Sequence, residues 1–114
     1  MSPEFQRAVT ALIAAIPPGK VLTYGRVAEL AGYPRHARHV GRLLGTAPQG
    51  ALPWHRVVGA CGRIARPGTE SADWQRALLE AEGVTLQARG TVDLARHLWH
   101  PEAGQQVGRT PASA

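Results

Sequence analysis

The sequence contains one cysteine, one lysine and no long apolar run. The single cysteine and the lack of a long apolar run each exclude whole classes of protein. Cys61 alone cannot form an internal disulfide or a cysteine-rich zinc knuckle, and a solitary thiol suits a reducing compartment. No apolar stretch approaches the roughly 20 residues that span a bilayer, so no membrane helix is expected. The first residues do not follow the order of a secretory signal, which leads us to expect a cytoplasmic protein.

The length of 114 residues suits a single domain. We expect that domain to occupy residues 1–101. Residues 102–114 have almost nothing apolar to bury, so we expect a disordered tail there.

Acidic residues are nearly missing from the middle of the chain. Between Lys20 and Arg66 eight cationic residues stand against one acid, Glu29, and twelve of the 13 cations in the whole chain are arginines. Such a block is typical of a site for a polyanion and favours nucleic acid as the partner. An arginine-rich composition is also common in proteins from GC-rich genomes, so charge alone leaves both explanations open.

Apolar spacing predicts a helix in the first residues and two shorter helices after it. A stripe at steps of three and four ends at Pro17-Pro18-Gly19 and comprises Phe5, Ala8, Val9, Leu12, Ile13 and Ile16. Thr23 is the expected N-cap of a helix over residues 24–31, which Gly32 ends. Pro34 suits the first turn of a further helix that runs to about Leu44 and is capped by Gly45.

The arrangement of helix, glycine turn and helix predicts a helix-turn-helix motif. The outward positions of its second helix are almost all basic: Arg35, His36, Arg38, His39 and Arg42. A basic recognition helix favours contact with DNA, and the alternative is an ordinary solvated face.

The second half of the chain predicts a small β wing and one more helix. Residues 54–58 and Arg63-Ile64 flank a turn and suggest a hairpin. Ser71 is the expected cap of a helix closed by Gly83, with Trp74, Ala77, Leu78 and Ala81 facing inward. Residues 84–86 and 91–94 look extended. The predicted fold is therefore mainly α with a small β wing, a winged helix-turn-helix in a single domain.

The segment Pro53-Trp54-His55-Arg56-Val57 carries a family resemblance, together with Tyr24-Gly25 and residues 37–41. Across residues 5–100 the chain resembles the C-terminal domain of the O6-alkylguanine-DNA alkyltransferases. Those enzymes have Pro-Cys-His-Arg-Val, in which the cysteine takes the alkyl group from a flipped guanine. With Trp54 in place of that cysteine, the chain resembles the alkyltransferase-like proteins, which bind the lesion without repairing it.

Chemistry supports the loss of transfer that the resemblance implies. An indole has no deprotonatable nucleophile, and Cys61 lies in a predicted turn with no neighbouring histidine to activate it. An isolated tryptophan would ordinarily be a buried core residue. Within a pocket built for a flipped base, Trp54 would instead contact the alkyl group, and the resemblance implies a lesion pocket of Trp54, Tyr24, Val57 and Arg66.

The resemblance also implies roles on the recognition helix. Arg38 matches the finger that replaces the extruded nucleotide in the helical stack, and Tyr24 matches the residue that presses on the 3′ phosphate. Ala37 is small enough for close approach to the minor groove, and Arg35 and Arg42 flank the finger. Without the resemblance, Arg38 would be one more phosphate contact and Tyr24 a half-buried aromatic residue.

His55 and Glu82 match the residues that activate the cysteine in the enzymes, and here we expect a structural hydrogen-bonded pair. The resemblance also implies that Arg63 or Arg66 lies beside the extruded base and senses alkylation by a cation–π contact. The pairs His36 with His39 and His97 with His100 have a spacing that suits metal ligands, but no third ligand is visible. We therefore expect no metal and no cofactor.

The sequence thus predicts recognition of O6-alkylguanine in double-stranded DNA by minor-groove docking and nucleotide flipping, without turnover. By resemblance, a monomer would mark the lesion for nucleotide excision repair proteins, associated with the nucleoid if the source is bacterial. Two alternatives remain: a residual alkyltransferase or glycosylase, and a winged-helix regulator that reads a defined DNA sequence.

Overall fold

The computed structural model describes residues 2–47, 50–64 and 69–101. Its first helix, α1 (Pro3–Ala15), begins where the Ser2 hydroxyl accepts a hydrogen bond from the Phe5 amide at 3.2 Å. Phe5, Val9 and Ile13 are buried along one face, as the apolar stripe predicts. Each such side chain contributes about 1.5–3 kcal/mol by leaving water. The tail at 102–114 and the predicted disorder there lie outside the described residues.

Two helices follow α1 and form the predicted helix-turn-helix. In α2 (Tyr24–Leu30) the Thr23 hydroxyl accepts from the Arg26 amide at 3.0 Å, which confirms the predicted N-cap. Helix α3 spans Ala37–Thr46, so its predicted start and its predicted cap at Gly45 are both wrong. The His36 amide donates to the Tyr33 carbonyl at 3.0 Å and closes a turn, and this turn keeps Pro34 and Arg35 outside the helix.

A short parallel sheet joins the two halves of the chain. Strand β1 (Leu22–Thr23) pairs with β2 (Val57–Val58), with Leu22 opposite Val57 and Thr23 opposite Val58. The predicted hairpin is therefore wrong in its pairing: β2 pairs with β1, and Arg63 forms an antiparallel bridge with Thr91. The apolar strand residues explain the difference, since Val57 and Val58 are buried on both faces of the sheet.

Helix α4 (Glu70–Ala81) begins two residues earlier than predicted. The cap is Thr69, whose hydroxyl accepts from the Ala72 amide at 3.2 Å, and Ser71 lies within the helix. The predicted inward face is also wrong: Trp74, Ala77 and Ala81 are exposed. The buried residues are Ala72, Gln75 and Leu79. Gly83, with a φ of 85°, follows the helix as predicted.

The chain then returns to the sheet through a bridge between Leu86 and Val92 and a short helix, α5 (Leu94–His97). The strand predicted at 91–94 is thus shorter than expected: Thr91 and Val92 form bridges, and Leu94 is helical. Val21 pairs with Leu98, which fastens the last described residues beside β1. Within the described ranges, no helix has the length and apolar character needed to cross a bilayer.

Candidate nucleic-acid interface and lesion pocket

The segment Pro53–Val57 forms a 3₁₀ turn (Trp54–Arg56) that leads into β2. The buried amide of Gln75, on α4, donates to the carbonyls of His55 and Val57, both at 3.1 Å. Two backbone acceptors that the 3₁₀ turn would leave unpaired are satisfied in this way. Helix α4 therefore fixes the position of the backbone that carries Trp54.

A cavity of about 1060 Å³ opens beside this turn. Residues 50–56 line one side, so Trp54 and His55 both face it, and Ala14 of α1 contributes as well. Helix α4 also lines the cavity, through Glu70, Ser71, Asp73, Trp74 and Leu78. Trp54 is half-buried, with its indole edge-on to the His55 ring at a centroid distance of 6.4 Å. The tryptophan thus lies where a ligand entering the cavity would meet it.

Glu82, which follows α4, receives hydrogen bonds from three residues, two of which, His55 and Arg56, line the cavity. Its Oε2 lies 2.8 Å from His55 Nε2 and 2.7 Å from Arg56 Nη2. Its Oε1 accepts from the Gly19 amide at 3.2 Å. Arg56 also donates to the Ile16 carbonyl at 2.8 Å, so the end of α1, the 3₁₀ turn and the end of α4 are tied together at one carboxylate.

The charge state of Glu82 follows from these contacts. Burial alone raises the pKa of a carboxyl group, but the hydrogen bonds from Arg56, then His55 and then the Gly19 amide outweigh burial and lower the pKa of Glu82 to about 2. The carboxylate is therefore ionised at neutral pH and can only accept hydrogen bonds. Because it can only accept, His55 Nε2 carries the proton of this hydrogen bond.

The helix-turn-helix presents a basic surface. Arg35, Arg38 and Arg42 are exposed, and Ala37 is the first residue of α3. Val40 is fully buried on the opposite face of the helix, which fixes the outward direction of Arg38 and Arg42. The fold thus separates the basic face of α3 from its core-facing residues, as an element that enters a DNA groove requires.

Two of the predicted pocket residues lie elsewhere. Val57 is fully buried in the core cluster formed with residues of β1 and helices α1 to α3, so its predicted place in the lesion pocket is wrong: the paired strand turns its side chain inward. Tyr24 lies at the start of α2, outside the cavity lining, with its ring reaching Gly41 of α3. Burial raises the pKa of Tyr24, so its hydroxyl is a neutral donor at physiological pH.

Of the two predicted sensor arginines the structure describes Arg63, which does not line the cavity beside Trp54. Arg66 lies outside the described residues. Arg63 is exposed and borders a second cleft, with Cys61, Gln87 and Arg89. Cys61 is exposed in the 3₁₀ helix Ala60–Gly62, with a φ of 61°.

The histidines show little metal-binding character. His36 and His39 face inward rather than outward: their rings lie 4.7 Å apart and both pack near Phe5. Desolvation, His36 and Arg42 lower the pKa of His39. Both ring nitrogens of His97 are engaged, by the Thr85 amide and the Gly19 carbonyl. In residues 2–47, 50–64 and 69–101, no three His, Cys, Asp or Glu side chains converge as metal ligands would.

Sequence reasoning missed three residues of this site: Arg56, Gln75 and Trp74. The role of Arg56 could have been inferred from the sequence. Arg56 directly follows His55, so an acidic residue that pairs with His55 is also within reach of the Arg56 side chain. Gln75 gave no signal, since a single glutamine in a helix is ordinarily exposed. Trp74 was misassigned to the core for its size.

Comparison with known proteins places this geometry in a family. Residues 4–84 match the family model described as the DNA-binding domain of 6-O-methylguanine DNA methyltransferase. The chain belongs to this family. The match to each of the first two relatives described below covers most of this chain and most of the relative.

Among relatives of this methyltransferase DNA-binding family, a DNA base-flipping protein of Vibrio parahaemolyticus is 44% identical over 99 residues, covering 86% of this chain and 98% of the relative. The crystal structure of Schizosaccharomyces pombe Atl1 with damaged DNA containing O6-carboxymethylguanine superposes with a TM-score of 0.75. Its identity is 34%, with coverage of 89% of this chain and 99% of Atl1. The Mycobacterium tuberculosis methyltransferase OGT with DNA gives a TM-score of 0.62 and 37% identity. There the match covers 73% of this chain and 51% of OGT.

Proposed function

We propose that the chain recognises O6-alkylguanine in double-stranded DNA, rotates the damaged nucleotide into the cavity beside Trp54 and does not remove the alkyl group. The observation that carries this proposal is the position of Trp54. It lines a cavity large enough for a base, within a motif that in the resembling enzymes holds the alkyl-accepting cysteine. The relatives support the same conclusion, since one is named for base flipping and another is solved with damaged DNA.

The absence of alkyl transfer follows from the nucleophiles near the cavity. The Trp54 indole nitrogen lone pair belongs to the aromatic system and cannot displace an alkyl group. Cys61 borders the second cleft, and the Glu82 carboxylate accepts hydrogen bonds from His55, Arg56 and the Gly19 amide. The pair therefore acts as a structural support of the cavity wall, and the protein is not an enzyme in this proposal.

The basic face of α3 docks in the minor groove. Arg38 is the finger that fills the space of the extruded nucleotide, because its exposed guanidinium can stack on neighbouring bases and bond the orphaned cytosine. Ala37 permits close approach, and Arg35 and Arg42 contact phosphates. Tyr24, at the start of α2, presses on the 3′ phosphate.

The partners beyond DNA come from the family resemblance. In this proposal a monomer marks the lesion for nucleotide excision repair proteins in the cytoplasm. Arg66 or Arg63 senses alkylation by a cation–π contact with the flipped base.

A binding titration on matched duplexes tests the proposal. We expect tighter binding to a duplex with one O6-methylguanine than to the same duplex with guanine, at physiological salt, and enhanced fluorescence of a flipped base analogue. A ratio of dissociation constants near one contradicts lesion recognition, even if electrostatic binding persists. A strong preference for one undamaged sequence would support a winged-helix regulator, and release of free base would support a glycosylase.

A further inference from the structure

Trp74 is the large apolar side chain that the described fold leaves exposed, at 58% of its full accessibility. Tryptophan on a helix of a small domain is ordinarily drawn into the core, because burying its surface is strongly favourable. Helix α4 instead buries Ala72, Gln75 and Leu79. The exposed indole therefore calls for a ligand that covers it.

Trp74 belongs to a separate face of α4. Glu70, Ser71, Trp74 and Leu78 follow one another at steps of one, three and four, so they share one side of the helix, and all four line the cavity. Trp54 lines the same cavity from the 3₁₀ turn. Two tryptophans, one from the 3₁₀ turn and one from α4, thus line one cavity.

Gln75 fixes Trp74 relative to Trp54. The side chain of Gln75 donates to the carbonyls of His55 and Val57, which follow Trp54 in the 3₁₀ turn and at its end. Because Trp74 is the residue before Gln75, its backbone is held at a set position along that turn. A wall positioned in this way can select a ligand by shape.

The size of the cavity indicates what Trp74 covers. At about 1060 Å³ its volume slightly exceeds the roughly 300–1,000 Å³ typical of pockets for drug-sized ligands. A guanine with a single methyl group is smaller than such a ligand. The lining from α4 also carries the carboxylates of Glu70 and Asp73, while the guanidinium of Arg56, which lines the same cavity, is paired with Glu82, so an anionic substituent meets an unfavourable charge.

We propose that Trp74 is a specificity-determining residue that contacts the O6 substituent when it is large and aromatic, so that this chain prefers an O6-benzyl group to an anionic O6-carboxymethyl group. The proposal rests on the proposed function, since it assumes that the damaged base enters this cavity. Stacking of an aromatic substituent on Trp74 should strengthen binding about tenfold, by analogy with base–aromatic contacts.

The test compares four duplexes that carry guanine, O6-methylguanine, O6-benzylguanine or O6-carboxymethylguanine at one position. For Trp74→Ala we expect about tenfold weaker binding of the benzyl duplex and less than about twofold change for the methyl duplex. Trp74→Phe should retain most of the benzyl affinity. Glu80→Ala, at an exposed position of α4 outside the cavity lining, should leave the preference among the duplexes unchanged.

The outcomes separate the two proposals. If the unaltered chain discriminates O6-methylguanine from guanine but Trp74→Ala leaves benzyl binding intact, the role of Trp74 is wrong and lesion recognition stands. Tighter binding of the carboxymethyl duplex than of the benzyl duplex would likewise contradict the role of Trp74 alone. If the unaltered chain does not distinguish any modified duplex from guanine, the proposed function itself fails.

Discussion

The Glu82 carboxylate and the Arg56 guanidinium form a half-buried ion pair, with 2.7 Å between Oε2 and Nη2, and Arg56 Nε lies 3.1 and 3.2 Å from the two carboxylate oxygens. Such a multiply bonded pair is stronger and more rigid than a single contact. Because His55 and the Gly19 amide bond the same carboxylate, the pair connects the cavity-lining residues His55 and Arg56 to the ends of α1 and α4. The hydrogen bonds at Glu82 thus have a structural role that does not require a thiol for His55 to activate.

Replacing Glu82 with Gln should destabilise the fold in a pH-dependent way. The pKa of Glu82 is about 2 in the folded protein and about 4.3 in an unfolded chain, so its ionisation stabilises the fold by about 3 kcal/mol near neutral pH. This stabilisation is complete above about pH 5 and is lost as the pH falls through 4 towards 2. Urea denaturation of both proteins at pH 7 and pH 2.5 measures it.

In that experiment the difference in unfolding free energy between Glu82→Gln and the unaltered chain should be large at pH 7 and small at pH 2.5. Glu80→Gln, at an exposed position of the same helix, is the control and should change little at either pH. A difference that is the same at both pH values would contradict the ionised, bonded Glu82.

Replacing Gln75 with Leu should destabilise the fold by about 2–4 kcal/mol, because two buried carbonyls, those of His55 and Val57, lose their donor. The matched control is Gln6→Leu, at an exposed position of α1, where we expect less than about 0.5 kcal/mol. Thermal unfolding of the three proteins checks both values. Equal melting temperatures for the Gln75 and Gln6 variants would contradict the role given to Gln75.

Replacing Arg38 with Ala should weaken binding to the O6-methylguanine duplex and abolish the fluorescence change of a flipped base analogue. Arg42→Ala, four residues along the same exposed face, should weaken binding to damaged and undamaged duplexes alike and reduce the salt slope by about one. Anisotropy titrations at several salt concentrations separate the two effects. Unchanged flipping in the Arg38 variant would remove this residue from the finger role.

Replacing Trp54 with Ala should reduce the preference for O6-methylguanine about tenfold, because the indole supplies the apolar contact to the alkyl group. General DNA affinity should fall only modestly, since the arginines of α3 lie on a different surface from the cavity. Parallel titrations with methylated and plain duplexes give the ratio. An unchanged ratio would show that the lesion does not contact Trp54.

Local signals in the sequence were sufficient for α1 and for the start of α2. The stripe from Phe5 to Ile16 and the cap at Thr23 depend on residues three and four apart, and the structure confirms both. The face of α4 was predicted wrongly because size favoured Trp74 for the core. The polar Gln75 is buried instead, since it satisfies two carbonyls from a segment 18 and 20 residues away.

The pairing of β2 could not be predicted from local signals either, because its partner is distant in the sequence. Local signals favour a hairpin for residues 57–64. The observed partner of β2 is β1 instead, and the paired residues Leu22 and Val57 are 35 positions apart in the sequence. The contact between His55 and Glu82 was predictable only through the family resemblance. Arg56 also bonds Glu82, and this contact could have been inferred because Arg56 follows His55 in the motif.

The sharpest test of lesion recognition without alkyl transfer is native mass spectrometry of the chain mixed with equal amounts of O6-methylguanine duplex and plain duplex. We predict a complex of one chain with one duplex, formed mainly with the methylated DNA, which releases both components at their original masses on dissociation. A chain that gains a methyl group while the duplex loses one would contradict recognition without transfer.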